Sequence, residues 1–271
     1  MIYLISILII AGLCYLAYRS WAAAQTRKHL LVSPLSDADR TILHTQVPLI
    51  RRLPPELHAP LEGKINLFLH QTDMYGCDGL EVTDEMVLSI AGQACLLIVN
   101  TDAWYKNLRT ILIYPSAFHS VRKSSDGFVV KEERVIRLGE SWARGPVILS
   151  WAHSQQGAMN DEDGHNVVLH EFAHQLDDLS GGVNGIPVLQ KRQSFAQWER
   201  VFVDAYDRHL KKVRRGRKTL LDAYGATNHQ EFLAVSVEAF FEKAEQLQEH
   251  EPALYAQLST LLQLDPAAWP D

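Results

Sequence analysis

The chain has 271 residues, 47% of them hydrophobic and 21% charged, with a formal net charge of −6. That is enough for one large or two small domains with a buried core, and the balance excludes wholesale disorder and collagen-like or coiled-coil rods. A mildly acidic chain lacks the phosphate-seeking field of a dedicated nucleic-acid binder, so no direct nucleic-acid binding is expected, and three cysteines (Cys14, Cys77, Cys95) cannot frame a secreted disulfide scaffold.

Residues 2–18 (IYLISILIIAGLCYLAY) form a run of seventeen without a charge. As a helix this run spans about 25 Å, the lower edge of what a bilayer requires. Residues 1–24 are therefore expected to be an N-terminal transmembrane helix, with Arg19 snorkelling and Trp21 at the interface. The rivals are a buried core helix and a cleaved signal peptide, for which Ala22, Ala23 and Ala24 mimic a cleavage site. The length of the run and the lack of a basic leader argue against cleavage. Arg19, Arg27 and Lys28 follow the run, so the positive-inside rule places the body in the cytoplasm as a single-pass protein of the inner membrane. Without an anchor the expectation becomes a cytoplasmic protein.

Residues 25–46 read as a polar connector with a helix start at Ser36, and residues 47–271 as one domain. Residues 49–70 suggest two short helices broken at Pro54 and Pro55, and residues 83–96 (TDEMVLSIAGQACL) a further helix. Strand-like runs follow at 97–99, 110–114, 128–130, 134–137 and 146–151 (PVILSW). A helix over 164–178, a glycine-rich turn (Gly181, Gly182, Gly185) and further helices complete the chain. Strands in the middle and helices at both ends imply an α+β domain, mainly helical with a small sheet. One charge run stands out, residues 208–218 (RHLKKVRRGRK) with seven Lys and Arg. It reads as a solvated helix end, or as a surface for an acidic partner or an anionic membrane.

The chemistry concentrates at His170-Glu171-Phe172-Ala173-His174. Residues i and i+4 of a helix share a face, so two imidazoles at this spacing can close on one zinc ion. Glu171, next to the first histidine, can reach a metal-bound water without itself binding the metal. The pattern is expected by accident only about 0.03 times in a chain of this composition. Val167, Val168, Phe172, Ala173 and Leu176 make the helix apolar around its histidines, as in a buried helix that carries polar groups for a reason. A catalytic site wants a third protein ligand, and Glu231, Glu238 and Glu242 are all available downstream. Spacing does not choose between them. Asp177 and Asn166 are candidate polar supports of the metal helix, while His153 and His165 read as loop or surface residues. Residues 147–151 offer a strand edge for an extended peptide.

Four stretches in order carry a resemblance to a known family: ILIYPSAF (111–118), GESWARGPVILSW (139–151), GHNVVLHEFAHQLD (164–177) and DAYGATNHQEFLAVSVEAFF (222–241). On these the chain resembles the Mlc titration factor A family of zinc metallopeptidases, whose catalytic domain is similar to that of the anthrax lethal factor protease. The resemblance covers roughly residues 49–266 and implies a zincin-like fold of the gluzincin type, with one Zn2+ per chain. It implies that Glu231 is the third zinc ligand beside His170 and His174, and that Tyr224 stabilises the oxyanion. Glu238 matches a second acid of the same helix, read as a supporting carboxylate. The chemistry implied is metal-assisted amide hydrolysis of a peptide or protein substrate. Zinc supplies Lewis acidity, Glu171 carries the proton from water to the leaving amine, and Tyr224 donates to the tetrahedral oxyanion. Family members have aminopeptidase-like activity and bind the repressor Mlc, which links them to the sugar phosphotransferase system. The alternative is a membrane-held regulator-binding protein in which zinc is structural.

Overall fold

Five helices begin where a small polar side chain can answer the unpaired N–H groups of a first turn. Ser36, Thr83, Asn166, Ser194 and Asn228 accept from the backbone of Asp39, Met86, Leu169, Gln197 and Glu231 respectively. The computed structural model describes residues 2–126, 129–141 and 145–270; Phe128 of the expected strand and residues 142–144 of the motif GESWARGPVILSW lie outside the described residues.

Helix α1 (Ile2–Val32) leads to α2 (Asp37–Gln46), a 3-10 turn (Pro48–Arg52) and α3 (Pro55–Gln71). Strand β1 (Asp73–Gly76) and helix α4 (Asp84–Leu96) precede β2 (Thr110–Tyr114). Strands β3 (Phe118–Asp126), β4 (Val129–Arg137), β5 (Gly139–Ser141) and β6 (Val147–Ser150) follow. The rest is helical: α5 (Trp151–Met159), α6 (Val167–Asp178), α7 (Phe195–Arg214), a 3-10 turn (Ala223–Ala226), α8 (His229–Glu242), α9 (Ala244–His250), α10 (Pro252–Leu262) and a last 3-10 turn (Pro266–Ala268). The mainly helical α+β architecture with a small mixed sheet agrees with the expectation.

The sheet runs in the order β1-β2-β6-β5, parallel across β1, β2 and β6, with β5 antiparallel to β6. β3 and β4 form a separate antiparallel hairpin. Strand β6 is therefore interior, and the edge expected at 147–151 belongs instead to β5. Residues 97–99, expected as a strand, are a buried turn after α4, because Leu97, Ile98 and Val99 continue the helix's packing rather than pairing with a neighbour. Helices α4, α6 and α8 lie in the middle of the molecule. Every residue of α8 from Glu231 to Glu242 is buried, which is how a helix apolar nearly all round is accommodated.

The expectation of an N-terminal transmembrane helix is corrected. Among the described residues no helix is long and apolar enough to cross a membrane. The apolar run of α1 closes at Arg19, and its roughly 25 Å fall short of a hydrocarbon core of about 30 Å. The helix does not break there. It continues unbroken to Val32, and residues 25–46, expected as a connector, are mostly helical and packed against the body. Leu30 and Leu31 rest on the core, Arg27 lies over the Trp104 ring at 5.0 Å, and Asn66 Nδ2 donates to Ser33 O at 2.7 Å.

This docking requires a glycine on α3: a Cβ at Gly63 would overlap the backbone carbonyl of Leu31. Backbone cannot swing aside as a side chain does. Gly63→Ala should therefore destabilise the fold by about 1–3 kcal/mol, the usual cost of overpacking, read as a lowered urea midpoint.

Candidate metal centre

Asn166 starts helix α6, and its side-chain Oδ1 accepts from Leu169 N at 3.0 Å. One turn on, His170 and His174 share a face, their rings 4.9 Å apart between centroids. Helix α8 crosses this face and brings Glu231 from its own first turn. Glu231 Oε2 lies 3.0 Å from His170 Nε2 and 3.3 Å from His174 Nε2. All three ligand atoms fall within 4.8 Å of one another. Tetrahedral zinc bonds of about 2.0–2.1 Å would separate ligand atoms by roughly 3.3 Å, so the set fits a zinc-sized cation with little movement.

The electrostatics agree. Burial alone lowers the His170 pKa, but hydrogen bonds to Glu231 and Glu238, with the charges of Glu238 and Glu171, raise it well above the ordinary histidine value. Burial pushes the Glu231 carboxyl up, yet hydrogen bonds from His170 and His174 bring it well below the usual carboxylate range. The side chains of His170 and Glu231 keep 13% and 11% exposure, enough for a small ligand to reach them.

Glu238, one helical repeat after Glu231, accepts from His170 Nδ1 through Oε1 at 2.8 Å and from Asn166 N through Oε2 at 2.6 Å. That bond holds the ring so that Nε2 faces Glu231. Glu242, the remaining candidate ligand, points elsewhere. It accepts from Asn166 Nδ2 at 3.0 Å, Gly164 N at 2.9 Å and His165 N at 3.1 Å. Burial pushes its carboxyl up to about 8, against the hydrogen bond from Asn166. Asn166 Nδ2 also donates to Gln93 Oε1 of α4 at 2.8 Å. The sequence reading missed Gln93; its signal was a polar side chain in an otherwise apolar stretch of α4, which needs a buried partner.

Glu171 is buried beside β5. A Cβ at Gly139 would come within 2.6 Å of Glu171 Oε1 and 2.8 Å of Val167 Cγ2, so only glycine lets the strand lie this close. Tyr224 is half-exposed in the turn before α8, its ring centroid 6.1 Å from that of His170. Asp222 shapes that turn by accepting from Tyr224 N at 2.6 Å. The structure thus gathers His170, His174, Glu231, Glu171 and Tyr224 around one place. Asp177 does something else: its Oδ2 accepts from Gly185 N at 2.6 Å and pins the glycine-rich turn. Burial raises its carboxyl pKa, while backbone donors of residues 184–186 oppose the shift. His153 bonds to Ser150 Oγ at 2.7 Å, and His165 is exposed and 3.2 Å from Asp222.

Residues 20–263 match the family described as glucose-regulated metallo-peptidase M90. The chain is 42% identical over 243 residues to an uncharacterized protein of Synechocystis sp., covering 88% of each chain. It is 31% identical over 225 residues to proteins named Mlc titration factor A in Escherichia fergusonii and Klebsiella pneumoniae, covering 81% of this chain and 84% of each relative.

The Glu238 bonds generate a test. In Glu238→Gln the Asn166 N–H claims the amide oxygen, which turns the amide NH2 toward His170 Nδ1. The ring then carries its proton on Nε2, the atom a metal needs. Metal affinity, measured by chelator competition, should fall about 10–100-fold while the unfolding midpoint changes little.

Proposed function

The chain belongs to the glucose-regulated metallo-peptidase M90 family, and from that premise we propose that it is a zinc-dependent peptidase acting through His170, His174 and Glu231 as ligands. The observation that carries this reading is the convergence of the three ligand atoms within 4.8 Å, with Glu171 on the same helix. Zinc, when bound, supplies Lewis acidity and lowers the pKa of water. The chain's own residues supply the rest. Glu171 takes a proton from the attacking water and returns it to the leaving amine. Its burial against Gly139 limits competing water around the carboxylate. Tyr224, exposed on the open side of His170, donates its hydroxyl to the developing oxyanion. Strand β5 pairs with β6 on one side, and no strand covers its other side among the described residues. An extended peptide laid along that edge passes close to Glu171. The substrate class best matched to the family resemblance is a short peptide with a free amino terminus.

A second reading rests on the relatives named Mlc titration factor A: the protein titrates a transcriptional repressor of that type. The two readings part at Glu171, since binding needs the surface and hydrolysis needs the base.

Hydrolysis of an unblocked alanyl chromogenic amide tests the peptidase reading. With wild type and Glu171→Gln compared at equal bound zinc, the variant should lose about 10²–10⁴-fold in kcat. Equal rates would remove Glu171 as the base. A Glu171→Gln variant that still sequesters the repressor in a pull-down, with its biological effect intact, would favour titration. Tyr224→Phe should lower kcat about 10²–10³-fold and leave KM nearly unchanged, because the hydroxyl bonds an atom charged only in the transition state.

A further inference from the structure

The basic run has no part in the hydrolysis proposed above. It carries +7 in a chain of −6, so the remaining residues sum to −13. Arg208 and Lys212 pair with Glu251 at 2.6 and 3.8 Å. Arg217 and Lys218, at the end of the run, have no ion pair among the described residues. They line a cavity of about 300 Å³ together with His165 and Lys243. Lys243 is half-buried, also without an ion pair among the described residues, and a Cβ at Gly164 would sit 3.2 Å from its Nζ. The single carboxylate in the lining, Asp222, is already occupied by Tyr224 N at 2.6 Å and His165 at 3.2 Å. Three cations without an ion pair among the described residues, two consecutive ones after α7 and one at the end of α8, thus line one small space, with one committed anion among them.

We propose that this cavity binds a phosphate group, either the free ion or a small phosphate monoester. Arg217 offers the planar fork that suits phosphate oxygens, and Lys218 and Lys243 add point charges. The volume sits at the small-molecule end of binding cavities and is too small for an acidic protein segment. Residues 218–221 also line a second cavity of about 310 Å³, which they share with Lys212, His250 and Glu251. That segment ends at Asp222, which shapes the Tyr224 turn. Phosphate bound to Arg217 and Lys218 fixes the segment and holds Tyr224 in place over His170. This coupling, unlike the binding site, rests on the role proposed for Tyr224.

Titration of the full chain with inorganic phosphate and with glycerol 3-phosphate, followed by calorimetry at constant ionic strength, tests the site. One saturable event is expected in both metal-loaded and metal-stripped protein, and Arg217→Met and Lys243→Met should each weaken it about 10-fold or more. Tighter binding of the monoester identifies an organic phosphate, and tighter binding of the ion identifies free phosphate. Unchanged affinity in folded variants would overturn the site, as would binding seen only with metal present. For the coupling, saturating phosphate should raise kcat on the alanyl amide about two-fold in wild type and leave Lys243→Met unaffected. An equal response in both proteins would overturn the coupling. If the chain cleaves no peptide, the calorimetry still decides the site.

Discussion

Everything at the centre of this molecule depends on answering buried carboxylates. Glu231, Glu238 and Glu242 project from one buried helix, and an unanswered charge there would cost more than its packing returns. Asn166 resolves much of this. Its main chain donates to Glu238, its amide donates to Glu242 and Gln93, and its carbonyl oxygen caps the metal helix. One residue thereby joins α4, α6 and α8. Two of the acids become structure, and Glu231 alone is left to face the two histidines.

The same knot fixes the inner wall of the candidate site. Helix α8 closes the inner face, presenting Glu231 and Glu238 to the histidines, and the exposed Tyr224 lies beside His170. Strand β5 borders Glu171 and stays close because position 139 is glycine. Two buried helices bring the three candidate ligands together, and β5 and the turn of Tyr224 border them.

The charge distribution has a parallel logic. The acids are spread over the body, whereas an uninterrupted basic stretch is confined to the end of α7 and the loop after it. Arg208 and Lys212 share the one carboxylate of Glu251. Arg217 and Lys218 form no ion pair among the described residues and line the cavity beside the Tyr224 turn. A long polar link to the reacting region is unnecessary, because Asp222 belongs to both the cavity wall and the turn.

The metal helix was legible in the sequence because helical geometry is local: four residues return a side chain to the same face whatever surrounds it. Caps at Ser36, Thr83 and Asn166 were equally local, and the apolar halo around His170 announced burial. The choice among Glu231, Glu238 and Glu242 was not legible from spacing, since all three lie on one helix and only its crossing angle with α6 decides which reaches the histidines. Gln93 and Asn166 meet across 73 residues, Asn166 and Glu242 across 76, and no periodicity reports a contact of that range. The fate of the N-terminal run was also a tertiary matter, because its helix continues past Arg19 and docks through a glycine on α3. Sequence by itself determined which residues could do chemistry, through local geometry and composition. Only the tertiary structure decided which carboxylate faces the metal site and which ones support it, because that depends on how two buried helices cross.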